Sequence, residues 1–174
     1  MSTYNPAYKR WHQGKITLTA DAAQTNQRFF LVKYSSTTPQ YNMAVTSSAT
    51  DKPIGPCIDE PLQGFDGAVI LAGVEKTTTP GVSGTAIAVD DDVYSYGNGL
   101  ITNAAGILAL NAAGTYWKVG KALTPATAAN QYVEVAWTDP RAVAVLAALT
   151  GTANTDLAAL AAAVSAQSAE LMYL

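Results

Sequence analysis

The sequence predicts a mainly β domain followed by an Ala-rich helical segment. Short apolar runs rich in Val, Ile and Tyr recur between residues 82 and 137, and clusters of Gly, Asn and Pro separate them. This is the pattern of closely spaced antiparallel strands. After Asp139 the composition changes and Ala dominates. We therefore divide the 174-residue chain into an N-terminal arm (residues 1–13), a β domain (14–138) and a C-terminal helical segment (139–174).

The composition limits the possible partners. Charged residues make up 13% of the chain, whereas about 25% is usual in a soluble domain, so we expect other protein to cover part of the surface. The net charge is −3 and the basic residues are scattered, which argues against nucleic acid as a partner. No signal peptide or membrane-spanning run is evident, so we expect a soluble protein, made in the cytosol, with no membrane partner.

Residues 1–13 are polar and aromatic without periodicity, and Pro6 interrupts any helix. The segment is either a disordered tail or an arm that becomes ordered on a partner. The arm is favoured, because Tyr4, Tyr8 and Trp11 offer large contact areas with polar edges.

Strand signals follow along the β domain. Residues 16–19 alternate between apolar and polar, and residues 29–34 predict a more buried strand. The polar stretch 35–50 predicts a long loop with one weak edge strand around Met43, and the proline-rich residues 51–61 predict an edge or crossing segment. The remaining predicted strands are residues 68–74, 86–89, 93–96, 100–102, 106–110, 116–122 and 132–137.

The C-terminal segment predicts two helices. Asp139 is a suitable N-cap with Pro140 at the first helical position, so a short helix is expected over residues 141–150. A second helix is expected from residue 156 to about residue 171 or 173, and it either packs on the β domain or contacts symmetry-related copies. The candidate oligomer contacts on its apolar face are Leu157, Leu160, Val164 and Leu171.

The residues offer little chemistry for catalysis or for a cofactor. The single histidine, His12, lies in the arm and would be an unanchored base in any nucleophilic arrangement. The single cysteine, Cys57, predicts a small buried residue in preference to a reactive thiol, and the chain lacks the ligands of a zinc site. The acidic run 90–92 favours a solvated turn over a calcium site, whose ligands alternate. We expect no enzyme, no cofactor and no metal.

Several short motifs follow one another in a particular order between residues 14 and 137. They are G-K-I-T-L-T-A at 14–20, D-K-P-I-G at 51–55, G-A-V-I-L-A-G at 67–73, S-G-T-A-I at 83–87, V-Y at 93–94 with N-G at 98–99, V-G-K-A-L at 119–123 and V-E-V at 133–135. In this order they resemble the capsid cement, or head-decoration, proteins of tailed bacteriophages. The segment after Asp139 is outside the resemblance.

The resemblance implies a small β-barrel-like or β-tulip-like domain that binds the outer surface of the assembled phage head, commonly as a homotrimer. Its partner would be the major capsid protein, and its function would be to stabilise the lattice. A protein that binds the assembled lattice but not free subunits stabilises the lattice by linkage. The candidate capsid contacts are Tyr4, Tyr8, Arg10, Trp11 and Phe65.

A second function remains open at this point. The aromatic residues Tyr94, Tyr96, Tyr116 and Trp117 are ordinary strand residues, but together they could form a platform for sugars. The alternative is therefore a ligand-binding or carbohydrate-binding β module exposed on a virion or tail.

Overall fold

The computed structural model describes residues 14–35, 42–74 and 78–145. Strand accounts for 50% of the structure and helix for 5%, which confirms the predicted mainly β fold. The strands form two five-stranded sheets in a nearly closed, barrel-like arrangement.

The first sheet contains the first part of the domain. Its strands are Lys15–Ala20 (β1), Leu31–Tyr34 (β2), Asn42–Val45 (β3), Gly55–Pro56 (β4) and Asp66–Ile70 (β5). Their order is β4-β2-β3-β1-β5, so the proline-rich segment lies at an edge as predicted. The predicted edge position of Met43 is wrong, because β3 pairs with both β1 and β2. Its central position buries the Met43 side chain completely.

The second sheet contains the remaining strands. They are Thr78–Val82 (β6), Asp92–Gly97 (β7), Leu100–Thr102 (β8), Gly114–Ala122 (β9) and Tyr132–Val145 (β10), in the order β6-β10-β9-β7-β8. Val133, Val135 and Trp137 of β10 lie in the core, whereas Tyr132 is exposed. The predicted strand over residues 132–137 is therefore confirmed, and its side chains alternate between the core and the opposite face.

The two sheets are joined through backbone hydrogen bonds. The N–H of Leu31 donates to Gly99 O (2.7 Å), that of Gly99 to Thr46 O (2.8 Å) and that of Thr46 to Leu31 O (3.0 Å). Gly99 has a φ of 74°, and a Cβ there would lie 2.5 Å from a ring carbon of Phe30. Because a side chain would also be strained at this φ, the junction requires glycine.

One predicted strand is a helix. Residues 106–110 are predicted to form a strand, but Ala104–Ala109 forms the helix α1. The side chain of Asn103 accepts a hydrogen bond from the backbone N–H of Gly106 (3.0 Å), which is the geometry of an N-cap. The predicted strand over residues 86–89 is also wrong, since Ile87 forms only an isolated bridge with Ala126.

The predicted helix start after Asp139 is wrong. Strand β10 continues to Val145, with Arg141 opposite Lys118 of β9. A bulge between Trp137 and Arg141 accommodates Pro140, which has no N–H for the ladder. The rest of the predicted helical segment, residues 146–174, lies outside the described residues.

Candidate docking surface

The three consecutive aspartates make separate structural contacts. Asp90 Oδ1 accepts from Lys121 Nζ (2.8 Å) and Asp92 pairs with Lys118 Nζ (2.6 Å). Asp91 Oδ2 accepts from Ala88 N (2.8 Å) and from Asn103 Nδ2 (2.8 Å). The hydrogen bond from Asn103, and to a smaller extent that from Ala88, holds the pKa of Asp91 below its usual value. The predicted turn is confirmed. Its carboxylates form ion pairs with lysines of β9 and accept a hydrogen bond from the N-cap residue of α1.

Metal-ligating groups do not cluster elsewhere in the described part of the chain. Within residues 14–35, 42–74 and 78–145, no group of three or more His, Cys, Asp or Glu side chains could hold a metal ion. No helix in those same ranges is long and apolar enough to cross a membrane.

Cys57 is a buried core residue, as predicted. It is fully buried with Leu18, Met43 and Val69 in the core of the first sheet. Burial raises the pKa of its thiol, and the negative charge of Asp59 raises the pKa further. A hydrogen bond to the backbone of Asp59 lowers the pKa but does not cancel the rise. The thiol is therefore protonated at neutral pH and is a poor nucleophile.

The predicted aromatic platform is not formed. Tyr116 is buried, and its hydroxyl donates to Ala112 O (2.9 Å), while Tyr94 and Tyr96 pack against the same cluster. Trp117 lies on the other face of β9, because neighbouring strand residues alternate. The four rings therefore do not share one exposed face, and the structure does not form the platform considered for carbohydrate binding.

Phe65 is exposed at a well-ordered turn. The side chains of Leu62 and Phe65 are 58% and 64% exposed, and Phe65 N donates to Leu62 O (3.0 Å). The end of β1 holds this turn, because Ala20 N donates to Phe65 O (2.9 Å) and Gly64 N donates to Ala20 O (2.8 Å). We call residues 62–65 the apolar turn. It presents two large apolar side chains to solvent on a backbone fixed by strand β1.

Sequence reasoning selected Phe65 but missed Leu62. The available signal was the pattern Leu-Gln-Gly-Phe, in which apolar residues flank a turn glycine; Gly64 has a φ of 78°. Other large apolar side chains exposed in the structure are Tyr34, Val74, Val89, Leu108, Leu110, Leu123 and Tyr132.

The other candidate contacts are not placed by the structure. The described residues do not include the capsid-contact candidates Tyr4, Tyr8, Arg10 and Trp11, nor the oligomer-contact candidates Leu157, Leu160, Val164 and Leu171. Of the contact residues predicted from the sequence, Phe65 is the one whose surroundings are described.

The fold and this surface define a two-sheet β domain that presents apolar side chains to solvent on a hydrogen-bonded turn. The same fold occurs in a solved structure described as the N base of the head fibre gp8.5 of bacteriophage phi29. The TM-score is 0.53 and the identity 16%, over 73% of this chain and 95% of that chain. At this identity the likeness shows the fold. No family model and no curated protein matches the sequence.

Proposed function

We propose that this chain is a structural protein of a phage virion that binds the outer surface of the assembled capsid and stabilises its lattice. The observation that carries the proposal is the fold shared with the head fibre base, which extends over 95% of that chain. The low proportion of charged residues, 13%, also supports a surface partly covered by other protein.

The apolar turn is the contact that the described residues offer. Full burial of a Phe or Leu side chain contributes roughly 1.5–3 kcal/mol, and the backbone of residues 62–65 is already ordered by β1. Little conformational entropy is lost when such a turn docks. The proposed partner of Leu62 and Phe65 is the major capsid protein.

Stabilisation of the shell follows from selective binding. A protein that binds the assembled lattice and not the free subunits stabilises assembly by about 2.7 kcal/mol per site at a free concentration one hundred times Kd. Many copies with modest affinity are therefore sufficient. We propose that the copies act as a homotrimer through the apolar face of residues 157–171, and that the arm, residues 1–13, adds contacts to the capsid.

Two variants test these contacts in a binding assay with expanded capsid shells. Deletion of residues 1–13 is expected to abolish binding while the β domain stays folded by circular dichroism; undiminished binding would overturn the proposal for the arm. Phe65→Ser is expected to weaken binding about tenfold or more. Its matched control is Val89→Ser, which changes a turn residue of similar exposure, 56%, and should bind normally.

A further inference from the structure

The turn before β2 holds a bulky residue in a left-handed backbone conformation. Phe29 has a φ of 66°, which disfavours side chains other than those of Gly, Asn and Asp. The other described non-glycine residues with positive φ are Asn26, Asp90, Asn98, Asn111 and Asn130. Phe29 N donates to Cys57 O (2.6 Å), and this bond holds the strained turn. The fold therefore keeps an aromatic ring where Asn would suit the backbone better.

The ring of Phe29 contacts two exposed side chains. The ring of Tyr132 meets it edge-on, with 5.6 Å between centroids and an interplanar angle of 90°. The guanidinium carbon of Arg28 lies 4.9 Å from the Phe29 centroid. Tyr132 is 63% exposed and Arg28 is also exposed. We call Arg28, Phe29 and Tyr132 the Arg-aromatic patch; it joins a loop of the first sheet to the start of β10.

Two contacts orient the guanidinium group of Arg28, an exposed residue. Its Nε donates to Ile58 O (2.9 Å) and its cation lies against the Phe29 ring. The ion pairs among the described residues belong instead to Lys33, Lys118 and Lys121. Within residues 14–35, 42–74 and 78–145, no hydrogen bond or ion pair involves the two terminal nitrogens of Arg28, and the side chain is oriented by its contacts with Ile58 and Phe29.

An oriented guanidinium with two available terminal nitrogens fits a carboxylate. The planar fork of Arg matches the two carboxylate oxygens, and a preorganised fork loses less entropy on binding than a mobile Lys does. Aromatic ring edges carry partial positive charge and also favour an anion. Because the protein as a whole carries a net charge of −3, recognition of an acidic group must depend on such a local cation.

We propose that the Arg-aromatic patch is a docking site for an Asp or Glu side chain on the outer surface of the capsid shell. This inference rests on the proposed function and names the chemistry of the partner. Arg and Tyr are the residue types that most often dominate binding energy at protein interfaces. The patch is a second contact, separate in sequence from the apolar turn.

Substitutions test the patch in the full chain, with purified expanded capsid shells as the probe. Arg28→Ala should weaken binding about tenfold or more, and Arg28→Lys should lose most of the same affinity because it keeps the charge but not the fork. Phe29→Asn suits the left-handed backbone and removes the ring, so it should weaken binding in a folded protein. Equal binding by wild type and these variants would overturn the proposal.

Matched controls separate the patch from general effects on charge and aromatic area. Arg141→Ala removes another exposed arginine, which lies on the same strand as Tyr132 but beyond the bulge that follows Trp137. Tyr34→Ser removes another half-exposed tyrosine, 50% against 63% for Tyr132. Both controls should bind as tightly as wild type, whereas Tyr132→Ser should bind more weakly. Loss of binding in the controls equal to that in the patch variants would contradict a local site.

Neutralising shell carboxylates tests the partner chemistry. Shells whose surface carboxylates have been converted to amides, and which still sediment as intact particles, should bind the wild-type chain as weakly as untreated shells bind Arg28→Ala. Unchanged binding to the amidated shells would show that the partner group is not a carboxylate. If the wild-type chain does not bind untreated shells, the proposed function fails; if it binds and the patch variants bind equally, the inference alone fails.

Discussion

Replacement of Asp51 by Ala should loosen the loop between β3 and β4, which contacts the second sheet at β9. One carboxylate oxygen, Oδ2, accepts from Ser47 N (2.8 Å) and Ser48 N (3.0 Å) and pairs with Lys33 Nζ (2.8 Å). The backbone oxygen of Thr50, in the same loop, accepts a hydrogen bond from the indole N–H of Trp117 (3.0 Å). Loss of the carboxylate therefore removes contacts within the loop and weakens its attachment to β9.

The expected loss of stability is about 2–3 kcal/mol. A hydrogen bond to a charged group contributes about 1.5–3 kcal/mol, and Asp51 accepts from two backbone N–H groups. Water can partly replace the lost acceptor, because the Asp51 side chain is 20% exposed, so the sum is reduced. For a chain of this size each kcal/mol lowers Tm by about 2–4 °C, and Asp51→Ala should melt roughly 5–10 °C below wild type.

The effect should depend on pH with a definite sign. Burial raises the pKa of Asp51, but the hydrogen bonds from Lys33, Ser48 and Ser47 outweigh it and hold the pKa below the ordinary 3.8. A lowered folded-state pKa contributes stability that is present above the unfolded-state pKa and is lost as the pH falls through the folded-state value. The Tm difference should thus be full well above pH 3.8 and shrink as the pH falls below 3.8.

Thermal unfolding followed by circular dichroism, at neutral pH and through the acid range, measures both effects. The matched control is Glu60→Ala, which removes an exposed carboxylate and should change stability by less than about 0.5 kcal/mol. An Asp51→Ala protein that melts within about 1 °C of wild type at neutral pH, or a difference that stays constant into acid, would refute this reasoning.

Two further predictions concern the core. Gly120→Ala should lower the free energy of unfolding by about 3 kcal/mol or more, because the added Cβ would lie 2.4 Å from Ala136 O in the β9–β10 ladder. The control is Gly64→Ala, which has open space around it and should lose only about 1–2 kcal/mol from its positive φ. Equal free energies of unfolding for the two variants would contradict this. Cys57 should react with a thiol reagent only as fast as the protein unfolds, because it is buried and its pKa is raised; rapid reaction of the folded protein would contradict that burial.

The sequence allowed the strands with strict alternation to be predicted. In β10, Val133, Val135 and Trp137 point into the core, and a period of two is sufficient to assign such a strand. The edge position of Gly55–Pro56 also followed from proline, which cannot donate to a ladder. These features depend on residues close together in sequence.

The errors arise where distant contacts override a local signal. Asp139 and Pro140 have the chemistry of a helix start, but pairing of Arg141 with β9 extends the strand and a bulge absorbs the proline. The apolar run 106–110 suits a strand or a helix equally, and the cap from Asn103, which is itself held by Asp91, selects the helix.

The candidate site was harder to predict than the fold. Phe65 was chosen as an isolated aromatic residue, whereas its exposure depends on hydrogen bonds to Ala20 at the end of β1. The Arg-aromatic patch joins residues 28 and 29 to residue 132, and no periodicity brings such distant positions together. Sequence patterns indicate which residues are buried, but exposed contact sites are built by the tertiary fold.

The central claim, that this chain binds the outside of an assembled capsid, is tested most directly by co-sedimentation. The purified chain is mixed with mature expanded shells of the phage major capsid protein, and with unexpanded precursor shells and free subunits as controls. Saturable binding to the expanded shells alone is expected, at a fixed ratio per capsomer. Absence of binding to all three, or equal binding to free subunits, would contradict it.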